Sequence, residues 1–308
     1  MQKIFLICAL FWCFSFQTFA KNNREPDSPS GNYKFSLQDI QETVRMAVYK
    51  ADAVIKELSV QGETEAVAEL YFKDYLQKIA SYNQYSPQTV DIIESYKTDL
   101  VNAFVLKEFK ERYPHLIFDK SKWMFNSVGG IYANMIILYC SPTEYIVLWG
   151  TTLRADNKFS GYYSFMNEFD VMVRGTMESH DVDAPGHASV IYRPIIQDGV
   201  ESHTVDTSNL IPKNVRSYNL DAHTYMVSYA QGNIVKAFLP GAIMPGIFVN
   251  QDWGGLSSHV IESTKAYFAT QKKPKKIRKK NINYRPILVI DEYRRLARAE
   301  QKDIQKTE

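Results

Sequence analysis

The spacing of apolar residues divides the chain into a helical first part and a strand-rich second part. From Ser36 to about Leu116, apolar residues recur at intervals of three and four, as on one face of an amphipathic helix. Within this part the pattern predicts a helix beginning after Ser36, which can cap it, a second over 65–80 and a third over 87–113. We expect these helices to pack through their apolar stripes.

The periodicity changes after Pro114 to that of β-strands. Short segments rich in Ile, Val, Tyr and Met are separated by Gly, Pro, Asn and Asp, which favour turns. The predicted strands are residues 133–139, 143–149, 167–173, 188–193 and 224–230. The pattern therefore predicts a mainly β fold with flanking helices, of the α+β class, built on a sheet or barrel.

Two further segments predict helices after the last strand. Residues 234–249 are apolar and carry a single charge, at Lys236, and residues 256–268 form the second predicted helix. An apolar helix followed by an amphipathic one fits an element that lies on a membrane surface. It equally fits a pair of core helices that cover a barrel, and the sequence leaves both interpretations open.

The first twenty residues predict an export signal. Lys3 is followed by an almost uninterrupted apolar run, and Ala20 precedes the charged Lys21. This order is typical of a secretory signal peptide, and an uncleaved N-terminal anchor is the alternative. Either interpretation predicts that the rest of the chain is exported, to the lumenal side of the endoplasmic reticulum or to a periplasmic or extracellular face.

Positive charge is concentrated at the C-terminal end. The whole chain has a net charge of +2, yet residues 271–308 hold 13 Lys and Arg against 5 Asp and Glu. The run from Lys272 to Lys280 has seven basic residues in nine. Such a run attracts anionic lipid headgroups. A solvated linker is the alternative, and no nucleic-acid partner is expected because the chain carries no nucleic-acid-binding motif.

Six short segments in the second part carry a resemblance to a known family. They are WMFNSVGG (123–130), SPTEYIVLWGT (141–151), SG (160–161), DVMVRGT (170–176), PG (185–186) and YMVSYAQG (225–232). No single segment is specific. In their order and approximate spacing, however, they resemble the fungal C-8 sterol isomerase and sigma-1 receptor family, over residues 95–270.

The resemblance implies a cupin-like β-barrel around an apolar pocket, with two C-terminal, membrane-proximal helices as a lid. In the isomerase branch a sterol double bond migrates through a carbocation; in the receptor branch the pocket binds hydrophobic amines and the protein forms trimers, so a homotrimer is implied. The expected organisation is a signal peptide or anchor (1–20), a helical N-terminal extension (21–94), the barrel with its leading helix (95–232), the lid (233–270) and a basic tail (271–308).

Ser228 departs from the family, which has a glutamate at this position to hold the ligand's positive charge. A serine hydroxyl can hydrogen-bond but carries no charge. Amine binding is therefore expected to weaken unless Asp170, which matches the family's second pocket carboxyl, or Glu168 ionises in its place. Strand alternation puts Glu168 on the same face as Asp170.

The two acids allow two interpretations. In a dry pocket at least one of them is expected to keep its proton, which provides an acid and a base for catalysis. Alternatively, Glu168 lies at a wet rim, and Asp170 alone is buried and hydrogen-bonded to Tyr145 or to backbone.

An apolar lining is expected around these acids. The family places the residues matching Tyr145 and Trp149 in the pocket, and alternation then directs Glu144 away from it, as a structural hydrogen-bond acceptor. The predicted lining residues are Met135, Ile137, Tyr145, Val147, Trp149, Met172, Met226 and Ser228.

Other chemistries are not indicated. His259 and the other histidines lack metal-ligand spacing and are expected at the surface, and neither a metal nor a cofactor is expected. Three functions remain open: a membrane-associated protein that binds a sterol-like or other hydrophobic ligand, an active sterol isomerase that uses Asp170 and Glu168, and an oligomeric scaffold with a structural barrel.

The basic tail generates a first prediction. Binding of the protein to vesicles that contain phosphatidylserine is expected to weaken several-fold between about 0.05 and about 0.5 M salt, because salt screens exposed charges. Vesicle sedimentation measures this, with uncharged phosphatidylcholine vesicles as the control. Binding that does not change with salt would show that the apolar helices act alone.

Overall fold

The computed structural model describes residues 33–60, 62, 66–67, 70, 89–118, 120–128, 131–159, 166–181, 189–194, 205–206, 216–238, 243 and 252–271. The predicted leader, most of the predicted helix over 65–80 and the basic tail after Gln271 lie outside these residues. The helices are α1 (Leu37–Val60), α2 (Thr89–Arg112), α3 (Ile234–Phe238) and α4 (Trp253–Gln271). The strands are β1 (Met124–Val128), β2 (Ile131–Cys140), β3 (Glu144–Thr151), β4 (Ala155–Phe159), β5 (Met166–Arg174), β6 (Met177–Asp181), β7 (Val190–Tyr192), β8 (Val205–Asp206), β9 (Arg216–Leu220) and β10 (Thr224–Gly232).

Helix α1 begins where the capping residue predicts. The Ser36 hydroxyl accepts the Asp39 backbone N–H at 3.1 Å, and the Asp39 carboxylate accepts the Ser36 N–H at 3.1 Å. This reciprocal pair is a capping box with aspartate in place of the usual glutamate. The first predicted helix is therefore present, with Ser36 as its N-cap.

The strands form two antiparallel sheets. The larger has the order β1-β2-β3-β10-β5-β8, and the smaller has the order β4-β9-β6-β7. The prediction of a mainly β fold that also contains a few helices is confirmed. No strand pairing joins the two sheets within the described residues, so these strands do not form a closed barrel.

All five predicted strands have counterparts in β2, β3, β5, β7 and β10, whereas the other strands were not predicted. The missed strands include β4, β6 and β9, with the sequences ADNKF, MESHD and RSYNL. These are short and polar, and they belong to the smaller sheet. Strands are predicted from a local pattern of apolar residues, and these strands lack one. They form because they pair with neighbouring strands.

Helices α1 and α2 cover the outer face of the larger sheet. Their apolar stripes meet side chains of β2, β3, β5 and β10 in one continuous core. The outward-facing members of that core include Ile136, Leu138, Tyr139, Ile146, Leu148, Phe169, Val171, Val173, Tyr225, Val227 and Tyr229. The helices therefore occupy one side of the sheet and leave the other side to form the interior.

The C-terminal helices differ in extent from the prediction. The described helical part of the segment 234–249 is α3, Ile234–Phe238, and residues 239–242 and 244–249 lie outside the description. Helix α4 is longer than the predicted 256–268, and the Asp252 carboxylate caps it by accepting the Gly255 N–H at 2.8 Å. None of the helices within the described ranges combines the length and the apolar character needed to cross a bilayer.

A buried carboxylate fixes the segment before α1 to the sheet. Glu144 is 1% exposed, and its oxygens accept the backbone N–H groups of Lys34 at 2.9 and 3.0 Å and of Phe35 at 3.1 Å. The Tyr229 hydroxyl lies 3.0 Å from the same carboxylate and 2.5 Å from the Phe35 carbonyl oxygen. Glu144 therefore lies on the outer face as a structural acceptor, as strand alternation predicts.

Replacing Glu144 is expected to destabilise the fold. Glu144→Ala would leave the backbone N–H groups of Lys34 and Phe35 without their acceptor, so the free energy of unfolding should fall by about 3 kcal/mol. Urea denaturation followed by tryptophan fluorescence measures this. The control is Glu111→Ala, which removes an exposed carboxylate and should cost less than about 0.5 kcal/mol. A comparable loss in both variants would contradict the structural role of Glu144.

Candidate ligand-binding site

The pairing of four adjacent strands places every predicted site residue on one face of the larger sheet. Directly paired residues of antiparallel strands point to the same side. Three rows cross the sheet: Ile137, Val147, Ser228 and Asp170; Met135, Trp149, Met226 and Met172; and Tyr145, Ala230 and Glu168. This inner face is opposite the one covered by α1 and α2. The roles of these residues in binding or catalysis stay predictions.

Apolar side chains make up most of the inner face. They form two clusters, and Trp149 packs against both. One cluster joins Met172 and Met226 to Tyr218 and Leu220 of the smaller sheet, and the other joins side chains of β2 and β3 to Ala266 of α4. The interior is thus bounded by the larger sheet, the smaller sheet and α4.

Three polar side chains form a hydrogen-bonded chain at the centre of this face. The Trp149 indole N–H donates to the Ser228 hydroxyl oxygen at 2.5 Å, and the Ser228 hydroxyl donates to the Asp170 carboxylate. Ser228 is 1% exposed and Asp170 is 6% exposed. The hydrogen bond from Ser228 satisfies part of the hydrogen-bonding capacity of the buried Asp170 carboxyl group.

The structure distinguishes the environments of the two acids. Asp170 is buried and bonded to Ser228, whereas Glu168 is half-buried and pairs across the sheet with Ala230. The Tyr145 hydroxyl, one of the partners expected for Asp170, is instead hydrogen-bonded to His259. The acids therefore share a face but not a degree of burial.

His259 lies beside the inner face, which the sequence does not predict, and its expected surface location is wrong. The ring is 2% exposed; its Nε2 lies 2.9 Å from the Tyr145 hydroxyl and its Nδ1 lies 2.7 Å from the Asn126 amide nitrogen. The Phe238 ring stands edge-on to the imidazole, with the centroids 4.6 Å apart. The signal available in the sequence is its position three residues after Leu256 and seven before Ala266, on one face of α4.

Helix α4 has its polar and apolar faces inverted relative to an ordinary surface helix. The face toward β1 and β2 consists mostly of polar residues, namely His259, Glu262, Ser263 and Thr270, together with Leu256 and Ala266. The opposite side exposes Trp253, Ile261 and Phe268, which are 56%, 38% and 49% exposed. The helix is therefore attached to the sheet partly by hydrogen bonds, while large apolar side chains face outward.

Burial sets the protonation states around α4. Loss of hydration lowers the pKa of His259 to about 4, so the imidazole is neutral near pH 7. Burial also raises the pKa of Tyr145 well above its usual value. The nearby Cys140 and Glu168 raise this pKa further. Both groups are therefore neutral near pH 7 and interact by hydrogen bonding. Within the described ranges, no three or more His, Cys, Asp or Glu side chains are grouped so that they could hold a metal ion.

Comparison with known proteins identifies the chain's relatives. The sequence model of the family described as "ERG2 and Sigma1 receptor like protein" matches residues 63–272. This match begins earlier than residue 95, from which the resemblance was expected. It covers the larger sheet, the smaller sheet, α2 and α4.

Curated relatives match over a shorter part of the chain. The Protein erg2 homolog of Dictyostelium discoideum is 28% identical over 147 residues, which cover 47% of this chain and 56% of that protein. The Sigma non-opioid intracellular receptor 1 of Gallus gallus is 26% identical, covering 50% and 64%. The C-8 sterol isomerase ERG2 of Gibberella zeae is 25% identical, covering 44% and 52%. The chain thus spans about half to two thirds of the length of these relatives.

Solved structures match weakly. KdgF from Halomonas sp. has 12% identity and a TM-score of 0.28, with 38% of this chain and 93% of that chain covered. The cupin domain of Schizosaccharomyces pombe Cnp3 has 10% identity and a TM-score of 0.25, with 39% and 72% covered. These scores are too low to support a fold assignment, which rests here on the strand pairing.

The low pKa of His259 generates a prediction about pH. Below about pH 6.5 the unfolded chain binds a proton at this residue that the folded protein does not bind until about pH 4. The free energy of unfolding should therefore decrease as the pH falls from about 7 to about 4, by up to about 3 kcal/mol from this residue.

Urea denaturation at several pH values measures this decrease, with His259→Gln as the matched variant. Glutamine retains a side-chain N–H and a carbonyl oxygen but does not titrate. The wild-type protein should lose more stability toward low pH than the variant does. Equal pH slopes in the two proteins would contradict a neutral, buried His259.

Proposed function

Because the chain belongs to the ERG2 and Sigma1 receptor like protein family, we propose that it is a membrane-associated protein that binds a sterol-like or other hydrophobic ligand. The observation that carries the proposal is the inner face, where apolar side chains surround one buried carboxylate, Asp170, held by Ser228. The ligand would lie between the two sheets, which would together form a cupin-like barrel.

The lining suits a large, rigid, apolar ligand. Met135, Met172 and Met226 are unbranched and polarisable, so they can adapt to the shape of a ring system. The Trp149 ring lies among them and is oriented by its hydrogen bond to Ser228. Such a surface gains binding energy by removing apolar area of the ligand from water.

The bond between Ser228 and Asp170 bears on whether the site accepts a cation. With glutamate at position 228, two neighbouring buried carboxyl groups would be expected to share a proton and hold one negative charge. Ser228 supplies the neutral hydrogen-bond donor itself, so one negative charge can reside on Asp170. In this proposal, binding of hydrophobic amines does not require the glutamate, because an ionised Asp170 replaces it, which is one of the cases that the sequence leaves open.

Membrane association is proposed from α4 and the segment that follows it. The outward Trp253, Ile261 and Phe268 fit the boundary between headgroups and acyl chains. The basic run from Lys272 to Lys280 begins directly after α4 and would meet anionic headgroups. The same proposal includes a homotrimer and an exported location, on the lumenal side of the endoplasmic reticulum or on a periplasmic or extracellular face.

A sterol isomerase is the second candidate, and the shared face of Glu168 and Asp170 favours it. Glu168 in its acid form would deliver a proton to one alkene carbon. The Asp170 carboxylate would then remove a proton from a carbon next to the resulting cation, so that the double bond moves and no proton is gained overall. In this candidate, Asp170 and Glu168 are the catalytic pair.

Asp170→Asn tests the proposal while preserving shape. The amide oxygen can still accept the Ser228 hydrogen bond, but the negative charge is gone. Affinity for a hydrophobic tertiary amine should fall at least about tenfold, which corresponds to about 1.4 kcal/mol, while affinity for a neutral sterol should change little. Binding is measured by quenching of tryptophan fluorescence.

Asp156→Asn, which removes an exposed carboxylate of β4, is the control and should leave both affinities unchanged. Unchanged amine affinity in Asp170→Asn would contradict the placement of the cation. Mass spectrometry of lipids that copurify with the wild-type protein identifies the natural ligand class. Turnover of a Δ8 sterol that is lost in Glu168→Gln, with binding retained, would favour the isomerase.

A further inference from the structure

The hydrogen bonds of His259 determine which of its nitrogens carries the proton. Nδ1 lies 2.7 Å from the Asn126 amide nitrogen, which is a donor, so Nδ1 must accept. A neutral imidazole with an accepting Nδ1 has its proton on Nε2. The Nε2–H group therefore donates to the Tyr145 hydroxyl oxygen, 2.9 Å away.

This arrangement leaves the Tyr145 hydroxyl hydrogen for another acceptor. Because the oxygen receives the hydrogen bond from His259, the O–H group of Tyr145 does not donate back to the ring. Ser263 lies on the same buried face of α4, and its hydroxyl has no hydrogen-bond partner among the described residues. Tyr145 itself lies on the inner face, in the row that includes Glu168 and next to the row of Asp170.

The Tyr145 ring has apolar neighbours, whereas its hydroxyl meets the polar face of α4. The Tyr145 ring stands edge-on to Phe238, with centroids 6.2 Å apart, and Tyr145 also packs against the apolar cluster that contains Ile137 and Val147. From the spacing of residues and strands in a sheet, the α-carbons of Tyr145 and Asp170 are about 12 Å apart. The two side chains therefore start from separate positions on the inner face.

We propose that His259 is a positioning residue of the ligand site: through its Nε2–H group it orients Tyr145 as a hydrogen-bond donor to an oxygen atom of the ligand. The ligand class is a rigid apolar molecule that carries a hydroxyl or carbonyl oxygen at one end, with its other end toward Asp170. The inference rests on the proposed function, because it requires the ligand to bind the inner face.

Asn126→Asp tests the orientation directly, because it exchanges a donor for an acceptor of the same shape. A carboxylate at position 126 should favour the tautomer of neutral His259 that carries its proton on Nδ1. Nε2 would then accept a hydrogen bond from the Tyr145 hydroxyl. The hydroxyl hydrogen would no longer be available to a ligand. Nitrogen-15 NMR of histidine-labelled protein at about pH 8 distinguishes the two tautomers. The wild type should show the Nε2–H form and the variant the Nδ1–H form.

Ligand discrimination is the second readout. The probes are cholesterol and its analogue without the hydroxyl group, each competing with a fluorescent sterol. Wild-type protein should prefer cholesterol by about tenfold, the effect of one neutral hydrogen bond in a buried site. Tyr145→Phe, His259→Leu and Asn126→Asp should each lose most of this preference. His259→Gln, whose amide N–H can replace Nε2–H, should retain it.

The outcomes separate this inference from the proposed function. Binding of both probes without preference in the wild type would overturn the role of Tyr145 and His259 but leave the proposed function standing. Failure of the wild type to bind either sterol would contradict sterol binding. An Nδ1–H tautomer in the wild type would overturn the inference whatever binds. Equal loss of affinity for both probes in His259→Leu would show a structural role only.

Discussion

The register of β10 is the constraint on which the site depends. This strand is paired on both sides, with β3 and with β5, so its backbone N–H and C=O groups form hydrogen bonds with both neighbours. The register sets Ser228 opposite both Val147 and Asp170. A shift of one residue would turn the serine toward the helices and bring Tyr229 into the interior. The geometry of the buried acid thus follows from backbone pairing.

Both faces of this sheet are buried, and each has a buried carboxyl group that accepts hydrogen bonds. On the outer side Glu144 accepts hydrogen bonds from the chain before α1, and on the inner side Asp170 accepts one from Ser228. Buried acceptors of this kind specify an arrangement, because any other register would leave donors unsatisfied. Glu144 fixes the start of α1 to the outer face of the sheet, so the polar groups of the inner face are not needed to hold the N-terminal helices.

Helix α4 connects the interior to the surface of the molecule. Its buried side offers polar groups to the sheet, and its exposed side presents aromatic and aliphatic groups. In water such a helix would be expected to face the other way. The hydrogen bonds that join His259 to Asn126 and Tyr145 account for the inward position of His259, and a lipid surface would account for the outward apolar side. Helix α4 therefore contacts Tyr145 on its buried side, and the same helix would contact lipid on its exposed side.

Strong local patterns of apolar and polar residues specify the Ser36 cap, the two described N-terminal helices, the central strands, and the alternation that separates Glu144 from Tyr145 and Trp149. The motifs of the sequence also identified the family and the face that holds Asp170. The tertiary structure alone decided that Ser228 donates to Asp170, that the polar strands of the smaller sheet pair, and that His259 is buried against Asn126. These depend on groups far apart in the chain, and a local pattern of apolar and polar residues does not specify which distant donor meets which acceptor.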